Sequence, residues 1–169
     1  MSRDERVFVG LGGNLGDAVS TLRAALAQLE GMPETAMVAT SSMYRTAPVD
    51  ATGPPYINAV AELRTGLAPE ALLAQMLTIE QGFGRQRLFR NAPRSLDLDL
   101  LLFGEREIRT VPLCVPHPRL WQRAFVLAPL SELVPGMVGA DGRGILDWLE
   151  GLTDQQIERI AGPTRSTDA

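Results

Sequence analysis

The order of elements legible in this chain, β-α-β-β-α-β, predicts an α+β fold: a ferredoxin-like sandwich with helices packed on an antiparallel sheet. Three observations lead there. At 169 residues the chain has the length of one domain. Short apolar runs alternate with stretches of helical periodicity. Glycine and proline clusters punctuate them. One domain is read over 1–169, with a core at about 6–161 and a frayed tail at 163–169.

Arg6 to Leu11 is the first strand, and Gly12-Gly13-Asn14-Leu15-Gly16 turns it into a helix marked by Val19, Leu22, Leu26 and Leu29. Gly31-Met32-Pro33 ends that helix. Thr35 to Arg45 is the second strand, closed by Thr46-Ala47-Pro48, and Val49 to Tyr56 is a loop, since Gly53-Pro54-Pro55 suits neither helix nor central strand. Ile57 to Arg64 is the third strand. Pro69 starts a helix with an apolar stripe of Leu72, Met76, Ile79 and Phe83. Leu96 to Phe103 is the fourth strand, and Gly104 to Glu107 turns toward a fifth near Ile108. Cys114 to Pro118 is proline-locked. A helix follows from Trp121 or Arg123, with short helices around Ile145–Trp148 and Asp154–Ile160.

Composition removes several function classes. The content is 45% hydrophobic and 21% charged, as in ordinary globular chains. A net charge of −4 argues against nucleic acid as partner. No long apolar stretch or basic-apolar leader points to a membrane, so the cytoplasm is expected. The one cysteine, Cys114, excludes an internal disulfide. All sixteen basic residues are arginines, so a P-loop and Schiff-base lysine chemistry are both excluded.

The segment Gly84 to Asp99 carries the chemistry. Arg85, Arg87, Arg90 and Arg94 crowd a stretch without acidic residues, and Asp97-Leu98-Asp99 follows. In a strand, side chains at i and i+2 share a face about 6.5 to 7 Å apart. Asp97 and Asp99 therefore point together, with Leu96, Leu98, Leu100 and Leu102 on the other face and Leu101 and Phe103 continuing the carboxylate face. Two anions beside apolar neighbours need a cation. Magnesium, which uses one or two carboxylates plus phosphate oxygens, meets that need, as would the arginines in a structural pair. Guanidinium forks on a loop between Gly84 and Pro93 suit a polyphosphate.

Other residues are less specific alone. The glycines at 10, 12, 13 and 16 fail the dinucleotide pattern, because Leu15 takes the last glycine position; they read as a tight turn forming one wall of a pocket. Tyr56 and Asn58 share a strand face and suit a flat heterocycle or plain packing. His117, the only histidine, sits between Pro116 and Pro118. Phe125 alone reads as core, and Glu80 as a solvated charge or a cap on the arginine loop.

Together these residues resemble the 6-hydroxymethyl-7,8-dihydropterin pyrophosphokinase family of the folate pathway. The resemblance runs through Gly10-Leu11-Gly12-Gly13-Asn14, Tyr44-Arg45-Thr46, Tyr56-Ile57-Asn58-Ala59, Gly84-Arg85-x-Arg87, Pro93-Arg94-Ser95-Leu96-Asp97-Leu98-Asp99, Val115-Pro116-His117-Pro118 and Arg123-Ala124-Phe125. It implies transfer of pyrophosphate from ATP to the pterin hydroxymethyl oxygen, with release of AMP. Asp97 and Asp99 would hold two magnesium ions and, with Arg85 and Arg94, form the catalytic set. Glu80, Arg85, Arg87, Arg94, Leu100, His117 and Arg123 would bind ATP. Thr46, Val49, Tyr56, Asn58 and Phe125 would bind the reduced pterin, and residues 48–56 and 84–94 would close over both. A monomer is expected. The chain departs from the family's frequent R-W-G-P-R at Arg90-Asn91-Ala92-Pro93-Arg94, and no role is implied for Arg90 or Asn91. Two other readings stay open, a nucleotide-binding regulatory module and an RNA-binding sandwich; the acidic balance speaks against the second.

Overall fold

The computed structural model describes residues 4–14, 17–46, 55–83, 96–110, 113–139 and 141–162. Eight strands, four α-helices and one 3-10 turn fall within them. In order they are β1 (Glu5–Gly13), α1 (Ala18–Glu30), β2 (Thr35–Thr40), β3 (Met43–Thr46), β4 (Tyr56–Thr65), α2 (Pro69–Gly82), β5 (Asp97–Phe103), β6 (Ile108–Arg109) and β7 (Cys114–Val115). The 3-10 turn Leu120–Gln122, α3 (Ala124–Leu133), α4 (Ile145–Glu150) and β8 (Ile157–Ala161) complete the chain.

A six-stranded sheet runs β5-β1-β4-β3-β8, with β2 beside β3 on the same edge of β4. Every pairing in it is antiparallel. Taking β2 and β3 as one interrupted strand, this is the ferredoxin-like sandwich the element order predicts. β6 and β7 make a separate two-stranded ribbon. Among the described residues, no helix is long and apolar enough to cross a membrane.

Alternation along the strands deals side chains to two faces. Val7, Val9 and Leu11 of β1, Ile57, Ala59, Ala61 and Leu63 of β4, and Leu96, Leu98 and Leu100 at β5 join Leu22, Leu26 and Leu29 of α1 and Leu72, Met76 and Ile79 of α2 in one buried cluster. On the opposite face Phe8, Val60 and Leu101 pack under Val126, Leu127 and Leu130 of α3 and Ile145 of α4. α1 is capped by Asp17, whose carboxylate accepts from the Ser20 N–H at 3.1 Å. α2 starts at Pro69, where the missing N–H costs nothing.

The structure corrects four local expectations. β1 continues through Gly13, so Gly12 and Gly13 are strand residues and not the start of a turn. The expected strand over Thr35–Arg45 breaks at Ser41-Ser42, where the Ser41 hydroxyl accepts from the Val60 N–H at 2.9 Å and takes a side chain into the ladder. Asp154–Ile160 is not helical: Ile157–Ala161 instead pairs with β3, whose edge offers backbone partners that a short amphipathic segment cannot signal alone.

The fourth concerns β5. Val9 pairs with Leu100, but Phe8 pairs with Leu102, so Leu101 is an extra residue opposite the β1 ladder. Such a bulge reverses the alternation beyond it. Leu102 therefore leans toward the α3 side, and Phe103 joins the α1/α2 core. The placement of Asp97, Asp99 and Leu101 on one face stands.

Candidate active site

Helix α3 covers only part of its sheet face. Beyond its first turn a cavity of about 810 Å³ opens on Gly10 and Gly12 of β1, Tyr56 and Asn58 of β4, and Asp97, Asp99 and Leu101 of β5. Thr46 at the end of β3 closes one side. Arg119, Gln122, Arg123, Phe125 and Val126 form the wall toward α3, and Asp154, Gln155, Gln156 and Ile157 form another.

The paired aspartates and glycines explain each other. In register, Asp97 faces Gly12 and Asp99 faces Gly10 across the β1–β5 ladder. No side chain rises beside either carboxylate from β1, so the two acids stand over an open floor. Asp97 is half-buried and Asp99 exposed. Gly12 meets a second demand: a Cβ there would lie 2.9 Å from Asn58 Oδ1. Asn58 is buried, and its Nδ2 donates to Thr46 Oγ1 at 3.1 Å. The amide is thus held at its nitrogen by Thr46 and has room at its oxygen because residue 12 is glycine, with Tyr56 two residues before it on the same face.

Glu80 sits elsewhere than a solvated charge would. It is 4% exposed, and its Oε2 accepts from the Leu98 N–H at 2.6 Å. That N–H lies between the two aspartates in sequence, so α2 braces the acidic strand through its backbone. Leu100 points into the α1/α2 core, and its neighbour Leu101 lines the cavity.

His117 is bound to β5 by its backbone, the N–H donating to Leu101 O at 2.9 Å. Its Nδ1 accepts from the Arg119 N–H at 3.1 Å, which leaves the proton of a neutral ring on Nε2. Burial lowers its pKa from the usual value, opposed by Asp99 and reinforced by Arg123 and Arg119. The Arg123 guanidinium carbon lies 5.4 Å from the Phe125 ring centroid, so cation and aromatic face share one wall.

Helix α3 is itself anchored across the sheet. Glu132 accepts from the Ser42 N–H at 2.9 Å and from the Tyr44 hydroxyl. Burial, then the Glu132 carboxylate, raises the Tyr44 pKa.

Of the sequence-derived site residues, Thr46, Tyr56, Asn58, Asp97, Asp99, Arg123 and Phe125 meet around this cavity. Val49, Arg85, Arg87, Arg90, Asn91 and Arg94 lie outside the described residues. Sequence reasoning missed Arg119, Gln122, Asp154, Gln155 and Gln156. Arg119 had a faint signal, two residues after His117 in the proline-locked stretch, and Gln122 directly precedes Arg123; Asp154, Gln155 and Gln156 have none, because only strand pairing of β8 brings them here.

Comparison with known proteins follows this geometry. Residues 8–135 match the family model of 7,8-dihydro-6-hydroxymethylpterin-pyrophosphokinase (HPPK). The chain is 43% identical over 159 residues to a 2-amino-4-hydroxy-6-hydroxymethyldihydropteridine pyrophosphokinase of Pseudomonas aeruginosa, covering 94% of this chain and 98% of that one. It is 42% identical over 127 residues to the protein of that name from Bacillus subtilis, covering 75% and 76%. In structure it is similar to Plasmodium falciparum HPPK-DHPS, with a TM-score of 0.72 at 13% identity over 90% of this chain; it spans 46% of that longer chain, a likeness of fold. The chain belongs to the 7,8-dihydro-6-hydroxymethylpterin-pyrophosphokinase family.

Proposed function

We propose that the cavity between β5, the α3 wall and the end of β4 is where this chain carries out its family's reaction, with ATP over the aspartates and the pterin against Asn58. As a member of that family the chain is an ATP-dependent pyrophosphokinase of folate biosynthesis. It transfers pyrophosphate from ATP to the hydroxymethyl group of 6-hydroxymethyl-7,8-dihydropterin. The hydroxymethyl oxygen forms a bond to the β-phosphorus, the bond from that phosphorus to the α,β-bridging oxygen breaks, and AMP leaves with the electron pair. The hydroxyl proton is released.

The observation that carries the assignment of the site is the acidic pair facing Gly10 and Gly12. Two carboxylates on one strand face above a floor without side chains are a donor set that fits magnesium completed by phosphate oxygens. Among the described residues no three histidine, cysteine, aspartate or glutamate side chains gather to hold a metal alone. Asp97 and Asp99 would hold two ions, which would neutralise charge on the triphosphate.

The chain's own residues orient and neutralise. Asn58, its Nδ2 donating to Thr46, presents an amide to the pyrimidine edge of the pterin, and Tyr56 and Phe125 offer aromatic faces to its ring; Val49 is assigned to the pterin on the family resemblance alone. Arg123, Arg119 and the Nε2–H of His117 face the nucleotide, and Glu80 acts through the β5 backbone; Arg85, Arg87 and Arg94 are assigned to ATP on the family resemblance alone. Leu101, rather than Leu100, supplies the apolar contact at this face. In-line phosphoryl transfer asks the protein mainly for position and charge. We place the single domain in the cytoplasm, where a chain with one cysteine and so no internal disulfide is at home, and take it as a monomer.

The test is incubation with ATP, magnesium and 6-hydroxymethyl-7,8-dihydropterin. AMP and pterin diphosphate appearing in equal amounts support the reading; ADP formation or no turnover overturns it.

A further inference from the structure

The family match ends at residue 135. The cavity does not: Asp154, Gln155, Gln156 and Ile157 lie on its rim. What they do there follows from an unsolved problem at the start of α3.

A helix begins with N–H groups that have no partner within it. The residue preceding α3, Arg123, is extended at φ −121° and ψ 111°, and no neighbouring side chain caps the first turn. The cap comes from thirty-one residues away. Gln155 Oε1 accepts from the Ala124 N–H at 2.8 Å. The same amide's Nε2 donates to Gln122 O at 2.9 Å. One side chain therefore grips the backbone on both sides of Arg123, and the next residue but one is Phe125.

Gln155 is held in turn. Two residues on, Ile157 pairs with Thr46, tying the turn to the opposite side of the cavity. Leu152 packs into the core beneath α3. The clasp thus links the strand end that carries Thr46 with the helix start that carries Arg123 and Phe125.

We propose that Gln155 is a positioning residue for pyrophosphoryl transfer, fixing the backbone that aims Arg123 at the nucleotide and holds Phe125 against the pterin. The inference rests on the placement of both substrates in this cavity. Both polar atoms of the Gln155 amide are engaged with backbone, so it acts through residues 122 to 124. A cap that served stability alone would lower the melting temperature and leave substrate kinetics alone.

A double-mutant cycle in the full chain separates the two roles. Steady-state AMP formation is measured for wild type, Gln155→Ala, Arg123→Ala and the double variant, varying ATP and pterin in turn. Loss of the two hydrogen bonds should reduce kcat/KM for ATP by roughly tenfold in the wild-type background. In the Arg123→Ala background the same change should cost kcat/KM for ATP twofold or less, because the cation it aims is gone, while kcat/KM for the pterin should still fall through Phe125. Equal losses of kcat/KM for ATP in both backgrounds, or kinetics within twofold of wild type beside a lower Tm, overturn the inference. Should Gln155→Ala fail to fold, Gln155→Glu is used in the same cycle. It keeps an acceptor for the Ala124 N–H, loses the donor to Gln122 O and sets a carboxylate oxygen against that carbonyl, and the same coupled or additive outcomes decide. If wild type itself releases no AMP, the functional reading fails; if wild type is active and Gln155 is uncoupled from Arg123, only this inference fails.

Discussion

The two faces of the sheet are dealt from the same strands, residue by residue, and end with opposite duties. Toward α1 and α2, Val7, Val9 and Leu11 meet Ala59, Ala61 and Leu63 in an unbroken apolar layer. Toward α3 the same strands present Phe8, Gly10 and Gly12 beside Val60 and Asn58. One end of this face is closed by an ion pair between Arg6 Nε and Glu62 Oε2 at 2.7 Å, its middle by α3, and its other end is left open. The sheet can expose a polar floor because its reverse side carries the larger core. The difference teaches that binding capacity here comes from removing side chains, at Gly10 and Gly12, as much as from adding them.

The sharpest way to break this division is at the acidic pair. Asp97→Ala and Asp99→Ala should each cut turnover on the order of 10³-fold with little change in Tm; a near-normal rate in saturating magnesium would show that the open face does not carry the chemistry. Gly12→Ala comes next. Its Cβ would sit 2.9 Å from Asn58 Oδ1, so Asn58 must move, and kcat/KM for the pterin should fall about 10²-fold. Gly10→Ala serves as its counterpart: the atoms nearest the new Cβ are those of the Leu101 side chain at 3.5 Å, an ordinary contact, so Asp99 need not move and the loss should be smaller.

On the covered face the consequences should exchange places. Leu22→Ala removes a fully buried side chain and should destabilise by about 2–5 kcal/mol in urea unfolding, while kcat per folded molecule stays near wild type. The smallest expected effect is at the α1 cap. Hydrogen bonds from Ser20 hold the Asp17 carboxyl below its usual pKa. A depressed pKa contributes stability that is full above the unfolded value and lost as pH falls through the folded one. Asp17→Ala should therefore lower Tm slightly at neutral pH, with the gap to wild type closing in acid; a gap that persisted below the carboxylate range would rule out this cap.

How much was legible before the structure depended on whether the cause lay within one segment. The β-α-β-β-α-β order and the shared face of Asp97 and Asp99 follow from periods of 3.6 and 2 within short windows, and Pro69 at the start of α2 from its own missing N–H. The continuation of β1 through Gly13 did not, because glycine normally argues against strand and is tolerated here by its pairing with Ile57 and Asn58. Glu80 reads as a solvated charge or a cap on the arginine loop because nothing local shows that the Leu98 N–H needs an acceptor. β8 was taken for helix since Ile157, Glu158 and Ile160 fit either period over so few residues. Gln155 is beyond any local reading; its partners are in another element.

The supernumerary Leu101 has a further consequence. Placed midway along β5, it acts as a phase shifter: positions before it and after it keep opposite bookkeeping of inside and outside. The acidic half of the strand can therefore be redesigned without disturbing which way Phe103 points. Ironing the bulge flat with every residue kept would force a choice, sending either the carboxylates into oil or the phenyl ring into water, whereas deleting Leu101 alone would leave both halves in one unbroken alternation.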